Sequence, residues 1–209
     1  MQSLTLTAGD PMLNTKSIED KNEKKTKDLV DKKASSKFGK NLFASVVHFI
    51  CIVSLKINLK DVGSSIQCKG RVKIDGTKNI KIGDNCTIDK NVHFRTEGRG
   101  YIHLGKNVHV GKGVRIVSNS NITIEDNAYI SDHVLIRDTY GSRTEESKNI
   151  NSKAIYIGKN TWIGKGTRIH AGITLGHDST ITPHSIVARS IPPEVIAGGT
   201  PAKIIADRK

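Results

Sequence analysis

Between residues 80 and 187 a branched apolar residue returns every six positions. The series runs Ile82, Ile88, Phe94; Leu104, Val110, Ile116; Ile124, Ile130, Ile136; Ile157, Ile163, Ile169; and Leu175, Ile181, Val187. A companion set, apolar or small, stands two places earlier: Ile80, Cys86, Val92, Ile102, Val108, Val114, Ile122, Ala128, Val134, Ile155, Thr161, Thr167, Ile173, Ser179 and Ser185. A period of six matches neither the 3.6-residue turn of an α-helix nor the alternation of a long strand. It fits a short strand, a corner and another short strand. Spacing inside each triplet is fixed, and every irregular gap lies between one triplet and the next. A chain that turns three corners per coil, one of which accepts insertions, winds into a triangular parallel β-helix whose coils stack about 4.8 Å apart. A sandwich of short strands has no reason to hold so many positions in register. The expected class is all-β, and glycines just after inward residues (Gly83, Gly105, Gly111, Gly158, Gly164, Gly176) are read as relieving the backbone where it bends.

The pattern divides the chain. Residues 1–36 are polar, lysine-rich and aperiodic, the composition of a flexible leader. Residues 37–61 contain LFASVVHFICIVSL, too short to span a bilayer, which needs about 20 apolar residues. Three readings stand for it: a cap on the open end of the β-helix, an interfacial membrane anchor, or, least favoured, a spanning helix. The β-helix is assigned to 62–190, with an earlier, weaker coil using Cys68, Val72 and Ile74, and one long loop at 137–154. Long loops on rigid scaffolds are where binding and chemistry concentrate. The tail, 191–209, leaves the repeat at Ile191-Pro192-Pro193, because proline cannot donate to a ladder.

Charge and cysteines narrow the setting. The net charge of +13 is partly concentrated in Lys21, Lys24, Lys25, Lys27, Lys32, Lys33, Lys37 and Lys40. It attracts anions such as phosphates, acidic sugars or anionic lipid. Nucleic acid is the weakest of these, since no aromatic–basic interleaving accompanies the lysines. Cys51, Cys68 and Cys86 are odd in number and far apart, so they are read as buried thiols in a reducing compartment, without zinc spacing. No apolar core and cleavage site follows the lysines at once, as a signal peptide would require. The expected location is the cytoplasm, with contact at the inner face of the membrane as an option.

From Ile155 the chain reads IYIGKNTWIGKGTRIHAGITLGHDSTITPHSIVARSIPPEVIAGGTPAKII. The IGKNTWIG element, the IPP turn and the GGTPAKII ending together resemble the closing segment of hexapeptide-repeat acetyltransferases that act on sugars. That group includes galactoside and maltose acetyltransferases and the O-acetyltransferases of capsular polysaccharide and polysialic acid. The resemblance covers roughly residues 60–205. It implies a left-handed parallel β-helix and a homotrimer with acetyl-CoA in the groove between neighbouring copies. It also implies a sugar or polysaccharide hydroxyl as acceptor, and a histidine at the edge of the long loop as base. Carried onto this chain, it places Trp162 at the acceptor or thioester end, with Gly164, Gly166 and the backbone at Ala171 and Gly172 along the pantetheine arm. Arg189, where a lysine is common, and Lys203 approach the coenzyme phosphates.

The chain departs from that pattern at the base. The family's histidine follows the third inward residue of its coil by six positions, often with an aspartate two residues earlier; here Ser142 and Tyr140 stand there. Acyl transfer needs a group that takes the hydroxyl proton and donors for the oxyanion, and a lone serine is a poor base. Three explanations follow: another histidine serves, the site binds without much turnover, or the chain is a non-catalytic carbohydrate- or CoA-binding relative. His133, at the corner before Ile136, is the nearest substitute, with Asp132 and Asp138 as orienting acids. His93, His103 and His109 should point outward on three different faces. His170, His177 and His184 read as surface or groove residues, and His170 could meet a neighbour's loop. The three converging imidazoles of a β-helical carbonic anhydrase are missing, so no metal site is expected.

Overall fold

The computed structural model describes residues 45–46, 49–53, 55–56, 59, 61–140 and 152–208. The leader at 1–36, Ser142 and most of the long loop lie outside these residues. Among the described residues the chain forms three parallel ladders, which are the faces of a left-handed prism. The first face stacks β1 (Asp61–Val62), β4 (Ile80–Ile82), β7 (Tyr101–Leu104), β10 (Asn121–Ile124), β13 (Ile155–Ile157) and β16 (Thr174–Leu175). The second stacks β2 (Gln67–Cys68), β5 (Thr87–Ile88), β8 (His109–Val110), β11 (Tyr129–Ile130), β14 (Trp162–Ile163) and β17 (Thr180–Ile181), then β19 (Val195–Gly199) and β20 (Ala202–Asp207). The third stacks β3 (Val72–Gly76), β6 (Val92–Thr96), β9 (Arg115–Ser118), β12 (Leu135–Arg137), β15 (Arg168–Ile169) and β18 (Ile186–Val187).

Every member of the six-residue series is fully or almost fully buried. Ladder register places Ile82, Leu104, Ile124, Ile157 and Leu175 one above another. The polar members of the companion set are buried without being orphaned. Thr161 and Ser179 donate to the carbonyls of Gly158 and Gly176 at 2.7 and 2.8 Å, and Ser185 donates to Thr182 O at 2.7 Å. Their hydroxyls therefore close corners, which removes the cost of burying them.

The glycine expectation is corrected. Gly83, Gly105, Gly111, Gly158, Gly164 and Gly176 are not among the residues with positive φ; a Cβ on any of them would lie less than 3.0 Å from the backbone of the next coil. They are glycine because successive corners approach closely. The bend itself falls two residues later, on left-handed residues such as Asn107, Asn127 and Asn160 at the first corner and Gly113, His133, Gly166 and His184 at the second. Asparagine tolerates this conformation. Here its amides also bond up the corner, Asn107 to Asn127 at 3.0 Å, Asn127 to Asn160 at 3.1 Å and Asn160 to Asp178 at 2.9 Å.

Both ends are more elaborate than the repeat. Residues 45–46, 49–53 and 55–56 are helical, and Cys51 and Leu55 join the core. Cys51 is disulfide-bonded to Cys68 of β2, with Cα atoms 6.2 Å apart. This corrects the reading of three buried thiols: the helix folds back onto the first coil, so residues distant in sequence meet. Cys86 stays free inside the prism, where burial pushes its thiol pKa up. The opposite side of the helical segment exposes Val46, Phe49, Ile50 and Val53, Phe49 by 68% and Ile50 by 60%. No helix among the described residues is long and apolar enough to cross a membrane. At the other end the regular coils stop at β18, yet stacking continues past the prolines. Ile191 bridges Leu175, β19 adds to β17, and β20 returns antiparallel along β19.

Candidate active site

The long loop springs from the third corner, where the third face passes to the first face of the next coil. Thr139 bridges Ser152 across its neck, and the Lys153 amide donates to Asp138 O at 2.9 Å. Beside this neck lies a groove of about 260 Å³, lined by Leu135, Arg137, Thr139, Tyr140, Arg168, Ile169 and His170. That is near the lower end of small-ligand sites, roughly 300 Å³. Tyr140 spans two coils: its hydroxyl donates to Ala171 O at 2.7 Å and lies next to Gly172. Gly172 has φ +75 and bonds through its amide to Lys153 O at 3.0 Å. Tyr140, Ala171, Gly172 and His170 thus gather at one corner, and Arg189 follows on the same corner one coil further along.

His133 and Asp138 do not join as a base and its orienting acid. His133 sits at the corner entering β12 and Asp138 at the corner leaving it, five residues along one face, or roughly 16 Å. His133 is exposed, with φ 57, and its imidazole lies over Gly113 of the coil below; His184 covers Gly166 in the same way. Asp138 is fully buried, and its carboxylate accepts from Ser118 Oγ and Ser120 N at 2.8 Å each and from Asn119 N at 2.8 Å. It holds the 118–120 corner against the base of the long loop. Asp132 is used similarly, accepting from Lys112 N at 2.9 Å. Gly164 is buried beneath Pro183.

Trp162 lies on the second face, not beside Tyr140. It belongs to a stack of outward rings in which His109 and Tyr129 are nearly parallel at 4.4 Å and Tyr129 and Trp162 at 6.5 Å. Parallel pairing produces this, since identical outward positions sit directly above one another. Burial pulls the His109 pKa below its usual value, with Asp89 opposing. Lys203, on β20, extends the same face. His93 and His103 lie outward on the third and first faces, as expected. His177 pairs with Asp178 through Nδ1 at 2.8 Å on the first corner, away from the groove, and this contact lowers the Asp178 pKa. The described residues contain no group of three or more His, Cys, Asp or Glu placed to hold a metal ion.

His170 lines the groove, one of the two places the sequence offered for it, whereas Arg137 and Arg168 were missed by the sequence reading. Their signal exists only once coils are aligned: with register fixed, Arg168 stands one coil above Leu135.

Comparison with known proteins agrees with this architecture. Residues 154–189 match the family model described as bacterial transferase hexapeptide (six repeats). No curated protein sequence matches the chain significantly. Among solved structures, the chain is similar to galactoside acetyltransferase in complex with coenzyme A. The two are 29% identical over 74% of this chain and 68% of that one, with a TM-score of 0.53. It is also similar to AntD, an N-acyltransferase from Bacillus cereus in complex with dTDP and 3-hydroxybutyryl-CoA (20% identity, 74% and 86% covered, TM-score 0.65). A third similar structure is the polySia-specific acetyltransferase NeuO (24% identity, 71% and 85% covered, TM-score 0.52). In its repeat and its fold, the chain is similar to the hexapeptide-repeat, left-handed β-helix acyltransferases.

Proposed function

We propose that the chain is a coenzyme A-dependent O-acyltransferase that moves an acyl group, acetyl from acetyl-CoA in the first instance, to a hydroxyl of a sugar or polysaccharide. The observation that carries this reading is the groove at the loop neck, which gathers His170, Tyr140 and two arginines beside the exposed backbone of Gly172. The acceptor hydroxyl attacks the thioester carbon while the His170 imidazole takes its proton. The C–O bond forms, the C–S bond breaks, and the proton passes to the departing thiolate. No acyl-enzyme is needed: Cys86 is buried and the other two cysteines are joined. Ser142, at the position where the resembled family has its histidine, serves as a hydrogen-bond donor rather than as base.

One copy presents its candidate donor residues on separate flanks, with Ala171, Gly172 and Arg189 at the third corner and Trp162 and Lys203 on the second face. Head-to-tail packing that closes after three copies sets one copy's second face against its neighbour's third corner. A homotrimer of this kind completes the cleft, with Arg189 and Lys203 toward the coenzyme phosphates and the backbone at Ala171 and Gly172 along the pantetheine arm. Calorimetric titration with coenzyme A is expected to give binding at micromolar to millimolar level, competed by acetyl-CoA. No heat and no competition from a correctly folded trimer would remove the reading.

The exposed residues 46, 49, 50 and 53 recur at the spacing of one helical stripe, just after the lysines at 21–40. This combination suits the anionic inner face of a membrane, where apolar insertion and basic attraction add. Co-sedimentation with vesicles containing phosphatidylserine, and much less with pure phosphatidylcholine, is expected, and Phe49→Ser with Ile50→Ser should abolish it. Equal recovery with both vesicle types, or with the double variant, would exclude membrane contact.

A further inference from the structure

The third face carries an unusual distribution of charge. Parallel register makes one outward column of Lys73, His93, Arg115, Leu135 and Arg168, and beside it a second of Asp75, Arg95, Val117 and Arg137. In the lower coils each basic side chain has a carboxylate. Lys73 Nζ and His93 Nε2 both reach Asp75 Oδ2, at 2.9 and 2.8 Å, and Arg95 pairs with Glu97. The Asp75 carboxyl is accordingly held below its usual pKa, chiefly by Lys73. In the upper coils the pattern stops. Arg115, Arg137 and Arg168 are exposed and have no carboxylate partner among the described residues.

These three arginines surround Leu135. Arg115 is one coil below it, Arg168 one coil above, and Arg137 two residues along the strand. With coils about 4.8 Å apart and alternate strand residues about 6.7 Å apart, the Cα atoms of Arg137 and Arg168 are about 8 Å apart on the diagonal. Two long guanidinium side chains at that separation can close on a single oxyanion. Both line the groove that holds Tyr140 and His170. Clustered like charges repel, and an anion seated between them reverses that sign. Arginine's planar fork matches carboxylate and phosphate oxygens in pairs.

We infer that the acceptor is an anionic sugar, whose carboxylate or phosphate is held by Arg137 and Arg168 while its hydroxyl faces His170. This rests on the groove being the acceptor end of an acyltransferase. The coenzyme is a second source of phosphate, so the test must separate the two. The protein would be titrated with N-acetylneuraminic acid, glucose 1-phosphate, neutral methyl galactoside and coenzyme A. The same series would be run on Arg137→Gln, Arg168→Gln and the double variant, with thermal unfolding as a check of folding.

One or both anionic sugars should bind at least about tenfold more tightly than methyl galactoside. Each single variant should cost about tenfold, as for loss of a charge-assisted hydrogen bond. Coenzyme A affinity should hold in every variant. Which of the two anionic sugars is lost identifies the oxyanion. Anionic sugars that bind no better than the neutral one, or equally well to the double variant, would overturn the inference. So would loss of coenzyme A affinity in the double variant without loss of sugar affinity, which would assign the pair to the donor. Tight arginine-dependent sugar binding by a protein that never binds coenzyme A would keep the anion site and reject the acyltransferase reading instead.

Discussion

Replacing His170 with alanine should lower kcat for acyl transfer by about 10²–10⁴-fold, the usual contribution of a general base, while coenzyme A binding stays intact. The expectation comes from placement. His170 lines the groove, one residue before Ala171, whose carbonyl anchors Tyr140. The other described histidines are elsewhere: His133 and His184 cover glycines at the second corner, His109 is stacked under Tyr129, His177 is paired with Asp178 on the first corner, and His93 and His103 lie in lower coils. A merely structural histidine would change thermal stability while leaving kcat of the folded protein largely intact. If His170→Ala keeps its turnover and Ser142→His is much faster than the parent, the base belongs in the loop and His170 has been given the wrong part.

Phe94→Ala should cost about 3–5 kcal/mol in denaturant unfolding, a large share of the 5–15 kcal/mol that holds a typical domain together. Phe94 is fully buried and is among the largest side chains inside the prism. Its ladder partners are Ile74 below and Ile116 above, so a cavity there separates inward residues in two neighbouring coils. Each coil of a solenoid is held mainly by its neighbours, which leaves the gap little chance to collapse. Phe94→Leu, which keeps most of the volume, should cost much less. A loss below about 1 kcal/mol for the alanine variant would show that the interior repacks, contrary to the close-packed view of cores.

Much of the fold was legible because its defining contacts repeat locally. An inward residue every six positions leaves a narrow prism as the one economical winding, and residues such as Ile82, Ile130 and Val187 are buried as the spacing requires. The glycines show the limit of that reading. Their positions were conspicuous, but the reason was not: Gly176 must lack a side chain because Pro193 of the next stacked segment lies against it, a contact between coils rather than a property of the turn. Asp138 shows the same limit. An acid near a loop looks chemical until Ser118, Asn119 and Ser120 are seen to share its oxygens from one coil below. Cys51 and Cys68 could not be paired from spacing, because only the fold-back of the helical segment brings them to 6.2 Å.

By itself, the order of residues determined that this chain must wind in three-sided coils, where each side chain points, and which corner could carry a loop. Those properties follow from short-range geometry, in which a strand's alternate residues face opposite ways. The tertiary structure decided what meets across coils: Tyr140 with Ala171, His109 with Tyr129 and Trp162, and Arg137 with Arg168 around Leu135. Such neighbours are a whole coil apart in sequence. They touch only because stacking places successive strands at a common register, so the candidate chemistry of this protein exists in the stack and not in any single repeat.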